Sequence, residues 1–171
     1  SVLQVNPDAV VLNSFSKYFG MTGWRLGWTV VPESWVSDLD TLAQNIFLAA
    51  STPAQYAALA ALEPASLEIF EQRRQELAQR RDYLLAELPK LGFNITANPT
   101  GAFYMYADAS AFTKDSLAWC AQVLEQTGVA LTPGVDFGEH LANTHVRFAF
   151  TTNLARLEEA VARLGKYLNL G

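Results

Sequence analysis

Residues 65–88 form the longest uninterrupted periodic run in the chain, and they constrain its fold more than any other stretch. Phe70, Leu77, Leu84 and Leu91 recur every seven residues, which lays an apolar stripe along one helix. Arg73, Arg74, Arg80 and Arg81 sit among Glu68, Glu71, Glu76 and Asp82, so the other face reads as solvated and ion-paired rather than as a patch for an acidic partner. At 1.5 Å per residue such a helix is roughly 36 Å long and divides whatever it belongs to. The apolar runs on either side are short and strand-like: 9–12 and 26–31 before it, then 93–96, 102–107, 129–131 and 144–150 after it. They alternate with helical patterns at 33–50, 52–62, 115–126 and 154–168. Strands interleaved with helices indicate an α/β chain. The expected division is 1–63 and 64–171, the second part having α+β character. Within 52–55, Thr52 reads as an N-cap, Pro53 as the first helical residue and Gln55 as the closing member of a capping box.

Composition narrows the function classes. Half of the 171 residues are hydrophobic, 17% are charged and the net charge is −5. That is a globular chain, and its acidity, with no basic cluster among aromatics, argues against a nucleic-acid surface. No apolar run approaches the roughly 20 residues of a membrane span, and no secretory leader pattern opens the chain. Cys120 is the single cysteine. It lies in an apolar helical pattern with no neighbouring cation to stabilise a thiolate, so it reads as a buried structural thiol, and the lone cysteine fits a reducing cytoplasm.

Positive charge is spent sparingly at the front of the chain. Lys17 and Arg25 are the only basic side chains in the first 72 residues, and both fall in one Gly-rich segment behind the run at 9–12. A lysine amine becomes a nucleophile only when its charge is suppressed, and a loop behind a buried strand is expected to desolvate it. Arg25 suits bidentate binding of a phosphate, Ser14 and Ser16 add hydroxyl donors, and Gly20, Gly23 and Gly27 permit close backbone approach. Together they describe a pocket for a phosphorylated carbonyl compound joined to lysine, a description that pyridoxal 5'-phosphate meets. Ser14-Phe-Ser-Lys17 also matches the S-x-x-K of β-lactamases, but Ser37-Asp38 is followed by Leu39 and no K-T-G occurs, so that reading fails.

Ser14-Phe-Ser-Lys17 followed by Gly23-Trp-Arg-Leu-Gly27 resembles the cofactor-attachment site of the class I/II, fold-type-I aminotransferases. Asn98-Pro-Thr-Gly-Ala-Phe-Tyr-Met-Tyr106, Leu124-Glu-Gln-Thr-Gly-Val-Ala-Leu-Thr-Pro-Gly134 and His145-Val-Arg-Phe-Ala-Phe150 resemble three stretches of the same family's small domain, in the same order. The resemblance implies the end of a large pyridoxal-phosphate domain at 1–63, then a linking helix and small C-terminal domain at 64–171. It implies that Lys17 joins the cofactor aldehyde and serves as the catalytic base and acid, that Arg25 and Ser14 hold the phosphate with Ser16 in a lesser part, and that Arg147 grips the substrate α-carboxylate. The implied activity moves an amino group between an amino acid and a 2-oxo acid, in a cytoplasmic homodimer when full length. Two alternatives share the motifs: a ligand-sensing domain of a transcription regulator, and a pyridoxal-phosphate lyase.

Arg147 also stands on its own pattern. Period-2 alternation over 144–150 puts Val146, Phe148 and Phe150 on one face and His145, Arg147, Ala149 and Thr151 on the other. His140 and His145, without a third ligand in register, make a poor zinc site and read as surface or structural histidines, so no metal is expected. Phe103, Tyr104 and Tyr106 read mostly as core, with Phe103 a pocket-lining candidate. The family's pyridinium-pairing aspartate precedes the lysine by several tens of residues, whereas 16 residues precede Lys17 and Asp8 is their only acid. The chain is therefore expected to be the C-terminal portion of a longer enzyme, inactive alone.

Overall fold

The computed structural model describes residues 1–168 and contains two compact units, Ser1–Arg74 and Gln75–Gly171. In the first, β1 (Val11–Ser14) pairs antiparallel with β2 (Gly27–Val30), Ser14 lying opposite Gly27. A Cβ on Gly27 would stand 2.5 Å from the Asn13 carbonyl oxygen, so only glycine lets the strands close at this point. Helices α1 (Val36–Ile46) and α2 (Thr52–Ala61) follow, and α3 (Pro64–Glu87) begins. Phe15, Met21, Ala58, Ala61 and Phe70 form the buried cluster of this unit, with Phe19 and Leu26 against it.

Three expectations for this unit need correction. The run at 9–12 was read as a buried strand, but β1 starts at Val11 and Leu12, Asn13 and Ser14 are exposed, as is every residue of β2. Two strands make a ribbon rather than a layer, and apolar side chains such as Leu12 and Trp28 remain open to solvent. The capping box also fails: Ser51 is the N-cap and makes no side-chain cap bond, and the Gln55 amide instead donates to the Ala50 carbonyl at 2.8 Å. The helix expected over 33–50 is a short 3₁₀ turn followed by α1, which stops at Ile46.

The second unit takes the rest of α3, with β3 (Tyr104–Asp108), α4 (Ser116–Thr127), β4 (Thr132–Pro133), β5 (His145–Ala149) and α5 (Leu154–Leu168). The strands form an antiparallel sheet in the order β3-β5-β4, with Tyr106 and Thr132 each opposite Arg147. Met105, Ala107, Val146 and Phe148 belong to a core with Leu84, Leu88, Trp119, Cys120, Val123, Leu157 and Leu164. The ends of α4 carry orthodox stops: the Asp115 carboxylate accepts from Ala118 N–H at 3.1 Å, and Gly128 at φ 68 supplies the left-handed residue after the last turn. The ion-paired face expected of α3 is present, Arg74 bonding Glu71, Arg80 bonding Glu76 and Arg81 bonding Asp82.

The strand expected at 93–96 is reduced to one bridge, Asn94 with Asp108. The strand expected at 129–131 falls instead at Thr132–Pro133, where Pro133, lacking an N–H, is tolerated because β4 is an edge. Gly134, next along the chain, is buried. A Cβ there would collide with the Ala142 carbonyl oxygen, the Tyr106 hydroxyl and the His145 carbonyl oxygen. Gly134→Ala is therefore expected to destabilise the protein by about 1–3 kcal/mol through overpacking, read as a lowered melting temperature in a thermal scan.

Candidate functional site

Loop 15–26 leaves β1 at Ser14 and returns to β2 at Gly27, a directly paired residue, so it is a closed excursion from the end of a hairpin. Phe15 N–H donates to Leu26 O and Met21 N–H to Phe15 O, each at 3.1 Å. Phe15 packs against Phe19 and Trp28 at centroid distances of 4.8 and 4.9 Å, and Phe19 meets Phe70 edge-on at 5.8 Å. Phe15 and Met21 are buried, with Phe19 and Leu26 packed against them, whereas Tyr18 and Trp24 are exposed. Ser14, Lys17 and Arg25 are exposed, and Ser16 is half-buried.

Ser14, Ser16 and Arg25 are linked through Thr22. Ser14 Oγ accepts from Ser16 N–H at 3.0 Å, Thr22 Oγ1 donates to the Ser16 carbonyl at 2.6 Å, and Arg25 Nη1 donates to the Thr22 carbonyl at 2.9 Å. Thr22 thus ties both serine positions to the guanidinium, a part that nothing in its sequence position announced. Arg25 pays for its place with a left-handed backbone, φ 51 and ψ 52, which costs a non-glycine residue about 1–2 kcal/mol. Lys17 is exposed, which corrects the expectation of a desolvated lysine behind a buried strand. The donor set of an amine, a guanidinium and two hydroxyls on one loop suits a phosphorylated aldehyde.

Arg147 lies in the second unit, at the centre of the sheet face opposite the core. It is half-buried, its Nη2 donates to Thr132 Oγ1 at 3.2 Å, and its Nε is buried with no hydrogen-bond partner. Its guanidinium carbon lies 5.2 Å from the Tyr104 ring centroid and 4.8 Å from that of Phe137. The ion pairs of the described residues on Arg74, Arg80, Arg81, Lys90 and Arg163 do not extend to Arg147. No acid pairs with this half-buried guanidinium among the described residues, so its charge is uncompensated and its Nη end has the chemistry to take an anion.

Tyr104 and Tyr106 were expected in the core. They point instead to the Arg147 face, and Met105 and Ala107 take the core positions. Period 2 in 102–107 held the signal for this; the aromatic character masked it. Phe103 packs at the core edge, half-buried. His145 is buried, stacks on Tyr106 at 5.1 Å and has Nδ1 3.0 Å from the Leu141 carbonyl, a structural engagement, while His140 is exposed.

The chain matches the family described as aminotransferase class I and II over residues 2–164. It belongs to that family. It is 41% identical over 165 residues to the valine–pyruvate aminotransferase of Mycobacterium tuberculosis, covering 96% of this chain and 42% of that protein. The aspartate/prephenate aminotransferase of Thermus thermophilus is 34% identical over 168 residues, with 96% and 42% covered. The crystal structure of an aminotransferase from Mycobacterium tuberculosis superposes with a TM-score of 0.94 at 40% identity, covering all of this chain and 44% of that one. The chain thus spans less than half the length of these relatives, and its fold is that of fold-type-I aminotransferases.

This aminotransferase-family chain carries one thiol, and it is not poised to react. Burial pushes Cys120 up to about 11, with the Asp136 carboxylate adding to the shift. In the unfolded chain the thiol ionises near pH 8.5. Above that pH the unfolded state has fewer bound protons, so stability is expected to fall as pH rises from about 8.5 toward 11. Denaturant melts across that range should show the slope, and Cys120→Ala should flatten it.

Proposed function

We propose that the chain is the C-terminal part of a pyridoxal-phosphate-dependent aminotransferase that moves an amino group between an amino acid and a 2-oxo acid. Residues 1–63 then close the large cofactor-binding domain, and 64–171 supply the linking helix and small domain. The observation that carries this reading is Arg147, a half-buried guanidinium with no acid paired with it among the described residues, on a sheet face lined with aromatics. That is a carboxylate site, and an α-carboxylate is what every amino acid and 2-oxo acid presents.

Loop 15–26 supplies the second half of the reading. Arg25, Ser14 and Ser16 would hold the cofactor phosphate, and the Thr22 link keeps Arg25 beside the serine pair. When bound, pyridoxal phosphate supplies an electron sink for charge developing at the substrate Cα. Lys17 would hold the cofactor aldehyde through Nζ, and its uncharged amine would take the substrate Cα proton as a general base and return it as a general acid. Arg147 would bind the substrate by its carboxylate and restrict the orientations the bound molecule can take.

The full-length enzyme is read as a cytoplasmic homodimer, on the family resemblance and the single cysteine. Among the described residues no helix is long and apolar enough to cross a membrane. Valine with pyruvate is the first substrate pair to test, because the relative that is 41% identical carries that name.

In the full-length protein, Lys17→Ala is expected to abolish the near-visible absorbance of the lysine-bound cofactor and to lower transamination by on the order of a thousandfold or more. A variant that kept both would overturn the assignment. The 171 residues alone, given pyridoxal phosphate and substrates, are expected to show no turnover in a coupled assay.

A further inference from the structure

Arg147 is held by more than its own strand. Thr132, directly opposite it on β4, takes the Nη2 hydrogen bond. Tyr104, two positions before its β3 partner Tyr106, offers one ring, and Phe137, in the turn after β4, offers another. The Phe137 ring is itself seated: it meets Tyr106 edge-on at 6.1 Å, and Tyr106 is stacked on the buried His145. A series of aromatic contacts therefore runs from His145 through Tyr106 and Phe137 to the guanidinium. We infer that Phe137 and Tyr104 are positioning residues that clamp the Arg147 guanidinium through its π surface and hold its Nη end toward the carboxylate of the substrate. This deepens the proposed aminotransferase reading and rests on it for the identity of the ligand.

The physical case has three parts. A guanidinium is attracted to aromatic faces through its π surface, an interaction that leaves its in-plane N–H donors available. An arginine side chain free to sample rotamers would lose that freedom on binding a substrate, and one already held does not, so the clamp raises affinity without touching the ligand. Finally, Nε is buried without a partner, so the fork edge that includes Nε is closed to a ligand and the Nη end is the edge offered.

The test uses the full-length, cofactor-loaded protein with Phe137→Leu and Tyr104→Leu, and with Tyr104→Phe as the variant that keeps the ring. Two readouts are taken: steady-state kinetics, and the hydrogen-exchange rate of the Arg147 Nε–H followed by nitrogen-15 NMR. Loss of either ring is expected to raise KM for both the amino acid and the 2-oxo acid about 5- to 30-fold, with kcat changed less than about threefold. Cofactor absorbance should be unaltered and Nε–H exchange faster, and Tyr104→Phe should bring KM and exchange back toward the parent values. Unchanged KM and unchanged exchange in Leu variants that retain the cofactor absorbance would overturn the clamp, as would a loss of kcat with KM preserved. If Phe137→Leu does not fold, Tyr104→Leu, at an exposed position on the sheet face opposite the core, carries the same test. A parent protein that transaminates no amino acid, while ring removal still accelerates the exchange, leaves the clamp standing and removes the aminotransferase reading.

Discussion

The pairing of β5 with β3 on one side and β4 on the other decides what the second unit can do. Side chains alternate across a sheet with a period of 2, so a strand whose even-numbered residues enter the core must turn its odd-numbered residues the other way. Val146 and Phe148 are sealed against Leu84, Leu88, Trp119 and Val123, and that burial holds Arg147 on the opposite side. A slip of one residue would drive a guanidinium into an apolar core, at a cost far above any single contact here. The register is thus specified by the core and read out in the placement of Arg147. The short β4 edge adds the one hydroxyl that the guanidinium uses.

The first unit solves a different problem by a similar division of labour. Its loop must hold cations and hydroxyls in a fixed arrangement although no strand runs through it. Phe15, Phe19 and Met21 bind the loop to Ala58, Ala61 and Phe70, and backbone hydrogen bonds close its base onto Leu26. The polar residues between these anchors inherit their positions. Gly27 completes the arrangement by letting the hairpin neck close against Asn13.

Much of this was legible in the residues. Lys17 and Arg25 stood out because the front of the chain has no other cations, and Arg147 because period 2 separated it from valine and phenylalanine. The long helix was visible in its heptad of apolar residues and in its paired charges. What escaped was relational. Thr22, Thr132 and Phe137 matter through the partner each one meets across a loop or a register, and one-dimensional spacing does not encode that. The Thr52 capping box had the right letters, yet the helix takes Ser51 as its cap and Gln55 bonds backward to Ala50. The apolar letters of β1 and β2 announce a preference for burial, whereas the ribbon they form among the described residues leaves them open. Aromatic bulk suggests the core for Tyr104 and Tyr106, whereas alternation along β3 turns both to the Arg147 face.

Arg25 occupies a backbone conformation that glycine adopts without strain. Exchange of Arg25 for glycine would relax the turn and at the same time remove the guanidinium that donates to the Thr22 carbonyl, so under the proposed reading thermal stability and cofactor retention should move in opposite directions at this one position. A screen that selects only for heat resistance would drift toward the comfortable residue and discard the cation. The turn is therefore a place where selection for a durable fold and selection for a charged site pull against each other, and the arginine that stands there records which of the two prevailed.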